Sequence, residues 1–107
     1  GHQRASYLMF SGERISAKDA EEMGMIFKAV SEEELANETI HLAEKLANRA
    51  TKSIGLTKRL LNESSTNQLY DQLDLEKKFQ AISANTEDHK EGINAFFEKR
   101  IPKYKGD

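Results

Sequence analysis

The chain has 107 residues, no cysteine and a formal charge of −2, with 16 lysines and arginines against 18 aspartates and glutamates. The lack of cysteine excludes a disulfide scaffold and a cysteine zinc site, and the balanced charge argues against nucleic acid as the main partner. A mean hydropathy of −0.73 and the lack of a long apolar run predict no membrane-spanning helix, so we expect a cytoplasmic protein.

The first two residues, Gly1 and His2, are typical of the remnant that remains after a purification tag is cleaved. We therefore expect one helical domain over residues 3–107, since no stretch rich in proline, glycine or serine divides the chain. One proline and six glycines indicate a mainly α structure of five to six short amphipathic helices.

The N-terminal part of the chain carries signals for two short helices and at most one strand. Residues 4–10 are apolar enough to form a short helix. Ser16, with an acidic residue three positions later, predicts the N-cap of the next helix, and Gly24 is expected to end it. Residues 25–30 are the only stretch that could form a strand, and it would be too short to stand without a partner sheet.

A longer amphipathic helix is predicted to follow Ser31. Ser31 and Glu34 have the spacing of a capping box, and acidic residues crowd the positive end of the helix. Its apolar residues make one broad face, which we expect to pack: Leu35, Ala36, Ile40, Leu42, Ala43, Leu46 and Ala47.

Three further helices are predicted, of which the first is capped by Thr51, the second begins at Thr66 and the third is capped by Thr86. In the helix after Thr66, the apolar positions move from one face to another partway along. This shift predicts that the two halves of that helix pack on different partners. Pro102 is expected to limit the extension of the last helix.

The run from Glu91 to Pro102 combines aromatic rings and cations. Phe96, Lys99 and Arg100 lie three and four residues apart, so on a helix they would share one surface. A ring beside a cation suits a ligand that joins an aromatic base to phosphate, such as a nucleotide or coenzyme A. A second row at spacing four would dock the helix on the core: Ile93, Phe97 and Ile101. The alternative is that both phenylalanines are packed and both cations are solvated charges near the helix C-terminus.

The same run resembles the closing motif of the crotonase (enoyl-CoA hydratase/isomerase) superfamily, in which a glycine precedes an Ala-Phe pair and a basic dipeptide. Upstream, residues 8–20 and 23–26 resemble the Thr-Gly, Ile-Ser-Ala and Gly-Leu-Val segments of that superfamily, in the same order. Within it, residues 22–26 and 66–76 are most similar to the ring-epoxide isomerase type of bacterial phenylacetate degradation.

The resemblance implies that the chain is the helical C-terminal part of the crotonase fold, which serves in trimerisation and in covering CoA. The implied partners are the N-terminal core of the same enzyme and neighbouring subunits, in a homotrimer or a dimer of trimers. The implied substrate is an acyl-CoA thioester, with no prosthetic group.

The resemblance also implies which residues here could contact ligand. The oxyanion N–H groups and catalytic carboxylates of the superfamily belong to earlier segments, so we assign no catalytic residue and expect this fragment alone to be inactive. Phe96 and Lys99 match the family's contacts with the adenine nucleotide end of CoA, and Arg100 is a weaker candidate for a phosphate contact.

A different class of function stays open from the residues alone. The chain could be an independent helical module that binds another protein through its apolar faces, with no ligand site. Glu38 and His41 have the Glu-x-x-His spacing of helical di-iron sites, but such sites need a second copy of the motif. The sequence has none, so we predict no metal site.

Overall fold

The computed structural model describes all 107 residues as six helices without a strand. The helices are α1 (His2–Ser11), α2 (Ala17–Glu22), α3 (Glu32–Ala47), α4 (Thr51–Glu63), α5 (Leu69–Ala84) and α6 (Glu87–Phe97). The predicted mainly α fold is confirmed, and residues 25–30 form no strand. None of the helices combines the length and apolar character needed to cross a membrane.

The chain divides into two compact units, residues 1–38 and residues 39–107. The expectation of one domain over residues 3–107, preceded by a tag remnant, stays a prediction.

In the first unit, both predicted capping boxes are present. The Asp19 N–H donates to Ser16 Oγ at 3.1 Å, and the Ser16 N–H donates to the Asp19 carboxylate at 3.2 Å. Ser31 and Glu34 make the same reciprocal pair, at 3.3 and 3.4 Å. Each box satisfies N–H groups that the first turn of a helix leaves unpaired, which explains why α2 and α3 begin where the pattern predicted.

α2 ends in a left-handed turn at Gly24, as the sequence predicted. Gly24 has φ +73°, its N–H donates to Glu21 O at 2.9 Å, and the Met25 N–H donates to Ala20 O at 2.8 Å. These two bonds form a Schellman motif, which pairs carbonyls that the helix end would otherwise leave free.

In the second unit, α4 and α5 form an antiparallel hairpin. The Ser53 and Ser83 hydroxyls lie 2.6 Å apart near its open end. The Arg59 guanidinium carbon lies 5.0 Å from the centroid of the Phe79 ring, and Phe79 is the buried residue of α5. Burial of the ring and its contact with the cation hold the two helices together.

Of the threonine predictions for the later helices, the cap at Thr86 is confirmed, whereas the cap at Thr51 and the helix start at Thr66 are wrong. Thr86 caps α6, because its hydroxyl accepts the His89 N–H at 3.0 Å. The N-cap of α4 is Ala50, and that of α5 is Gln68. Thr51 is the first residue of α4, and the Thr66 hydroxyl donates to a carbonyl at the end of α4, so its local hydrogen bond competes with capping.

The apolar face of α3 does not pack within this chain, so that prediction is wrong here. No residue of α3 is buried, and its large apolar side chains are exposed: Leu35, Ile40, Leu42 and Leu46. An amphipathic pattern indicates which face of a helix is suited to burial. Burial itself also requires an apolar surface that covers this face.

Candidate functional site

α6 ends at Phe97, before the two cations that the sequence assigned to it. Lys99 has φ +54°, its N–H donates to Phe96 O at 3.2 Å, and the Arg100 N–H donates to Ala95 O at 3.0 Å. This is the same Schellman motif that ends α2, with lysine where α2 has glycine. The prediction that Phe96, Lys99 and Arg100 share a helical surface is therefore wrong, since a left-handed turn separates the ring from the cations.

The inward face of α6 also differs from the prediction. Ala95 is 1% exposed and Asp88 is 3% exposed, and both lie on the buried side of the helix. The row expected to dock on the core is exposed instead: Ile93, Phe97 and Ile101. Small and acidic side chains face inward because a folded-back C-terminal segment lies against that side of α6.

We call this segment, residues 103–106, the C-terminal strap. Its backbone is bound by carboxylates of α6: the Lys103 N–H donates to Glu91 Oε1 at 2.7 Å, and the Lys105 and Gly106 N–H groups donate to the two oxygens of Asp88 at 2.7 and 2.9 Å. Charge-assisted bonds of this kind are about twice as strong as neutral ones. The N–H groups of the strap thus provide hydrogen bonds to both oxygens of the buried Asp88 carboxylate.

Close contact between α6 and the strap occurs at Gly92. A β-carbon at that position would lie 3.2 Å from the Tyr104 hydroxyl oxygen. Sequence reasoning used Gly92 only as part of the family motif and missed the contact. An available signal was the spacing of Asp88, Glu91, Gly92 and Ala95, which places two carboxylates and two small residues on one face of a helix.

Glu91 also joins the strap to the turn after α6. Its carboxylate accepts from Arg100 Nη1 at 2.6 Å and from Nη2 at 2.9 Å, in addition to the Lys103 N–H. These donors stabilise the charged carboxylate and lower the pKa of Glu91 to about 2, mainly through the Arg100 hydrogen bonds. The pKa of Arg100 is raised in turn by Glu91 and Glu98.

The Glu91 carboxyl is expected to titrate far below an ordinary glutamate, near pH 2. Because its pKa is depressed by folding, its contribution to stability is present above the unfolded pKa of 4.5 and is lost progressively as the pH falls towards 2. A ¹³C NMR titration of the carboxyl carbons measures this midpoint. A midpoint above pH 4 would contradict the pairing with Arg100.

The structure separates the three predicted ligand residues into two groups. Phe96 is 78% exposed and meets Phe97 edge to face, with ring centroids 5.7 Å apart. Lys99 is exposed and makes no ion pair. Arg100, by contrast, pairs with Glu91 and Glu98. The alternative with two packed phenylalanines and two solvated cations is therefore wrong for this chain.

An open groove of about 590 Å³ runs beside Phe96 between α4, α5 and α6. The residues along it include hydroxyl groups and apolar surface: Ser53, Ser83, Gly92, Ile93, Phe96 and Tyr104. A ring at the rim of such a groove offers one face for stacking. Asp88 and His89 also line the groove, and the arrangement is suited to binding.

Comparisons with known proteins agree on one family. The family model described as enoyl-CoA hydratase/isomerase matches residues 1–107. The chain is 41% identical over 106 residues to 1,2-epoxyphenylacetyl-CoA isomerase of Escherichia coli K12, covering 99% of this chain and 40% of that protein. It is 34% identical over 102 residues to a probable mitochondrial enoyl-CoA hydratase of Dictyostelium discoideum, covering 95% of this chain and 37% of that protein.

The fold is that of solved enoyl-CoA hydratases. A structure described as enoyl-CoA hydratase subunit I of Geobacillus kaustophilus HTA426 superposes with a TM-score of 0.90 at 36% identity, covering 98% of this chain and 41% of that one. The chain thus spans about two fifths of the length of these relatives. With a family model that matches its full length, the chain belongs to the enoyl-CoA hydratase/isomerase family of the crotonase superfamily.

Proposed function

We propose that the chain is the CoA-covering and oligomerisation part of an enoyl-CoA hydratase or isomerase, and that Phe96 and Lys99 bind the adenine nucleotide end of CoA. The observation that carries the proposal is an exposed ring followed, across one turn, by a lysine with no ion pair. Stacking and charge neutralisation are the two interactions that a base with phosphates requires.

The contacts of Arg100 favour a different role from the phosphate contact first predicted. Its guanidinium donates to Glu91 through two nitrogens and to Glu98 through a third. A phosphate would have to replace these carboxylates, whereas Lys99 can approach a phosphate without losing a partner. We therefore assign the phosphate contact to Lys99. Arg100 instead stabilises the turn through its pairs with the two glutamates.

The exposed apolar residues of α3 support the partners proposed for the chain. A contiguous apolar helix face on a soluble domain marks a surface that another protein segment covers. Since the chain spans about 40% of its curated relatives, we propose the N-terminal crotonase core and neighbouring subunits, in a homotrimer or a dimer of trimers, as that cover. In this arrangement the fragment alone is catalytically silent, and hydration or isomerisation of an enoyl-CoA by the 107-residue chain would contradict it.

We further propose that the substrate of the whole enzyme is a ring-epoxide acyl-CoA of the type formed in phenylacetate degradation. It is supported by the 41% identity to the isomerase named for 1,2-epoxyphenylacetyl-CoA.

Titration of the ¹⁵N-labelled 107-residue chain with CoA tests the binding proposal. We expect amide shifts centred on Phe96 and Lys99 at millimolar CoA. Phe96→Ala is expected to weaken binding about tenfold through lost stacking, and Lys99→Gln about fivefold through lost charge. Phe27→Ala and Lys78→Gln remove an exposed ring and an exposed cation elsewhere, and each should leave the affinity within about twofold. No response to CoA would favour the helical protein-binding module.

A further inference from the structure

We propose that Glu91 is a positioning residue, which ties the turn at Lys99 to the C-terminal strap and so holds Lys99 in its binding arrangement before ligand arrives. The inference rests on the proposed CoA function. It assigns a specific role to a carboxylate that itself would not touch the ligand.

The first observation is that one carboxylate binds two separate segments. Glu91 accepts from the Arg100 guanidinium, which belongs to the turn after α6, and from the Lys103 N–H, which begins the strap. Its side chain is about one quarter exposed, at 24%. A bidentate pair with arginine fixes orientation as well as distance, so the pair with Glu91 restrains the Arg100 side chain.

The second observation is the backbone at Lys99. At the corresponding position of α2 the chain has glycine, Gly24, which adopts a positive φ without cost. Lys99 adopts φ +54° although it has a β-carbon, a conformation that L-residues disfavour. Two backbone hydrogen bonds of the turn, donated by the Lys99 and Arg100 N–H groups, keep a lysine there. The Arg100 side chain adds contacts with Glu98 and Glu91, and of these two carboxylates only Glu91 also binds the strap.

The third observation is that the far end of the strap is held independently. Asp88 binds the N–H groups of Lys105 and Gly106, and neither bond involves Glu91. Loss of the Glu91 charge should therefore loosen the segment from Lys99 to Lys103 while leaving the far end of the strap attached. Preorganisation of this kind favours binding because the turn no longer has to be ordered by the ligand.

Glu91→Gln tests the proposal, with Glu87→Gln as the matched control. Glu87 is a carboxylate of the same helix, but it pairs only with Lys90, on the exposed surface. In Glu91→Gln, ¹⁵N relaxation should show increased motion of residues 99–103, the three-bond coupling that reports φ at Lys99 should change, and the Kd for CoA should rise about fivefold. Glu87→Gln should leave all three unchanged.

A double variant separates positioning from general loosening of the structure. If Glu91 acts through Lys99, Glu91→Gln should have less than a twofold effect on CoA affinity when Lys99 is already glutamine. The proposal would be overturned if Glu91→Gln weakened CoA binding equally in the wild-type and Lys99→Gln chains. It would also be overturned if Glu91→Gln left either the turn at Lys99 or the affinity for CoA unchanged. If the wild-type chain does not bind CoA, the proposed function itself fails, an outcome distinct from a wild type that binds and a Glu91→Gln variant that binds equally well.

Discussion

Asp88→Ala is expected to lower the free energy of unfolding of the 107-residue chain by about 1.5–3 kcal/mol, the range for hydrogen bonds to a charged group. Asp88 is 3% exposed, and its two oxygens accept the N–H groups of Lys105 and Gly106 at 2.7 and 2.9 Å. Without the carboxylate, these N–H groups either stay unpaired against α6 or bind water, which requires the strap to detach from α6. Urea unfolding followed by circular dichroism measures the change.

Glu87→Ala is the control for Asp88→Ala. Both residues lie in the first turn of α6, so both variants remove the same favourable interaction with the helix dipole. Glu87 pairs only with Lys90, at 2.6 Å on the surface, and its loss should cost no more than about 0.5 kcal/mol. Asp88→Asn keeps one acceptor oxygen and should fall between the two. Equal stability of the two alanine variants would contradict the role of Asp88 in holding the strap.

Gly92→Leu is expected to destabilise the chain by about 1–3 kcal/mol through overpacking. Its β-carbon would lie 3.2 Å from the Tyr104 hydroxyl oxygen and 3.6 Å from the ring carbon Cε1. The rest of the leucine side chain would push Tyr104 off α6 and weaken the flanking bonds of the strap. Urea unfolding measures the loss, and hydrogen exchange at the Lys103 and Lys105 amides should accelerate.

Gly55→Leu makes the same substitution in the middle of another helix, where nothing beyond the local helix backbone lies within 4 Å of the new β-carbon. There, leucine should stabilise the chain by roughly 0.5–1 kcal/mol, because glycine is the poorer helix former. The two substitutions are therefore expected to have opposite signs. A stabilising Gly92→Leu would mean that Tyr104 yields without cost and that the strap does not depend on close approach to α6.

Local features of the fold were predictable from the sequence. The capping boxes at Ser16 and Ser31 form as predicted, because both partners lie within three residues and need no other part of the chain. Gly24 ends α2 as predicted because the turn there is also made by local hydrogen bonds. The threonines were less predictive, since Thr66 has a local carbonyl as an alternative partner for its hydroxyl and so leaves the N-cap of α5 to Gln68.

The orientation of α6 was not predictable in the same way. The apolar spacing of Ile93, Phe97 and Ile101 correctly marks a helix face suited to burial, yet that face is exposed in this chain and Ile101 is 84% exposed. The inward face carries Asp88 and Ala95 instead. Periodicity identifies a face that can be buried, and it carries no information on whether the covering surface belongs to the same chain.

The sequence by itself determined the family, the mainly α class and the capping boxes. Only the tertiary structure decided that Phe96 is exposed, that Arg100 pairs with Glu91, and that the strap returns along α6. The physical reason lies in the partners of Asp88 and Glu91. The N–H groups that they bind are 12 to 18 residues away and belong to the backbone, and because every residue except proline carries that donor, no side-chain pattern identifies it.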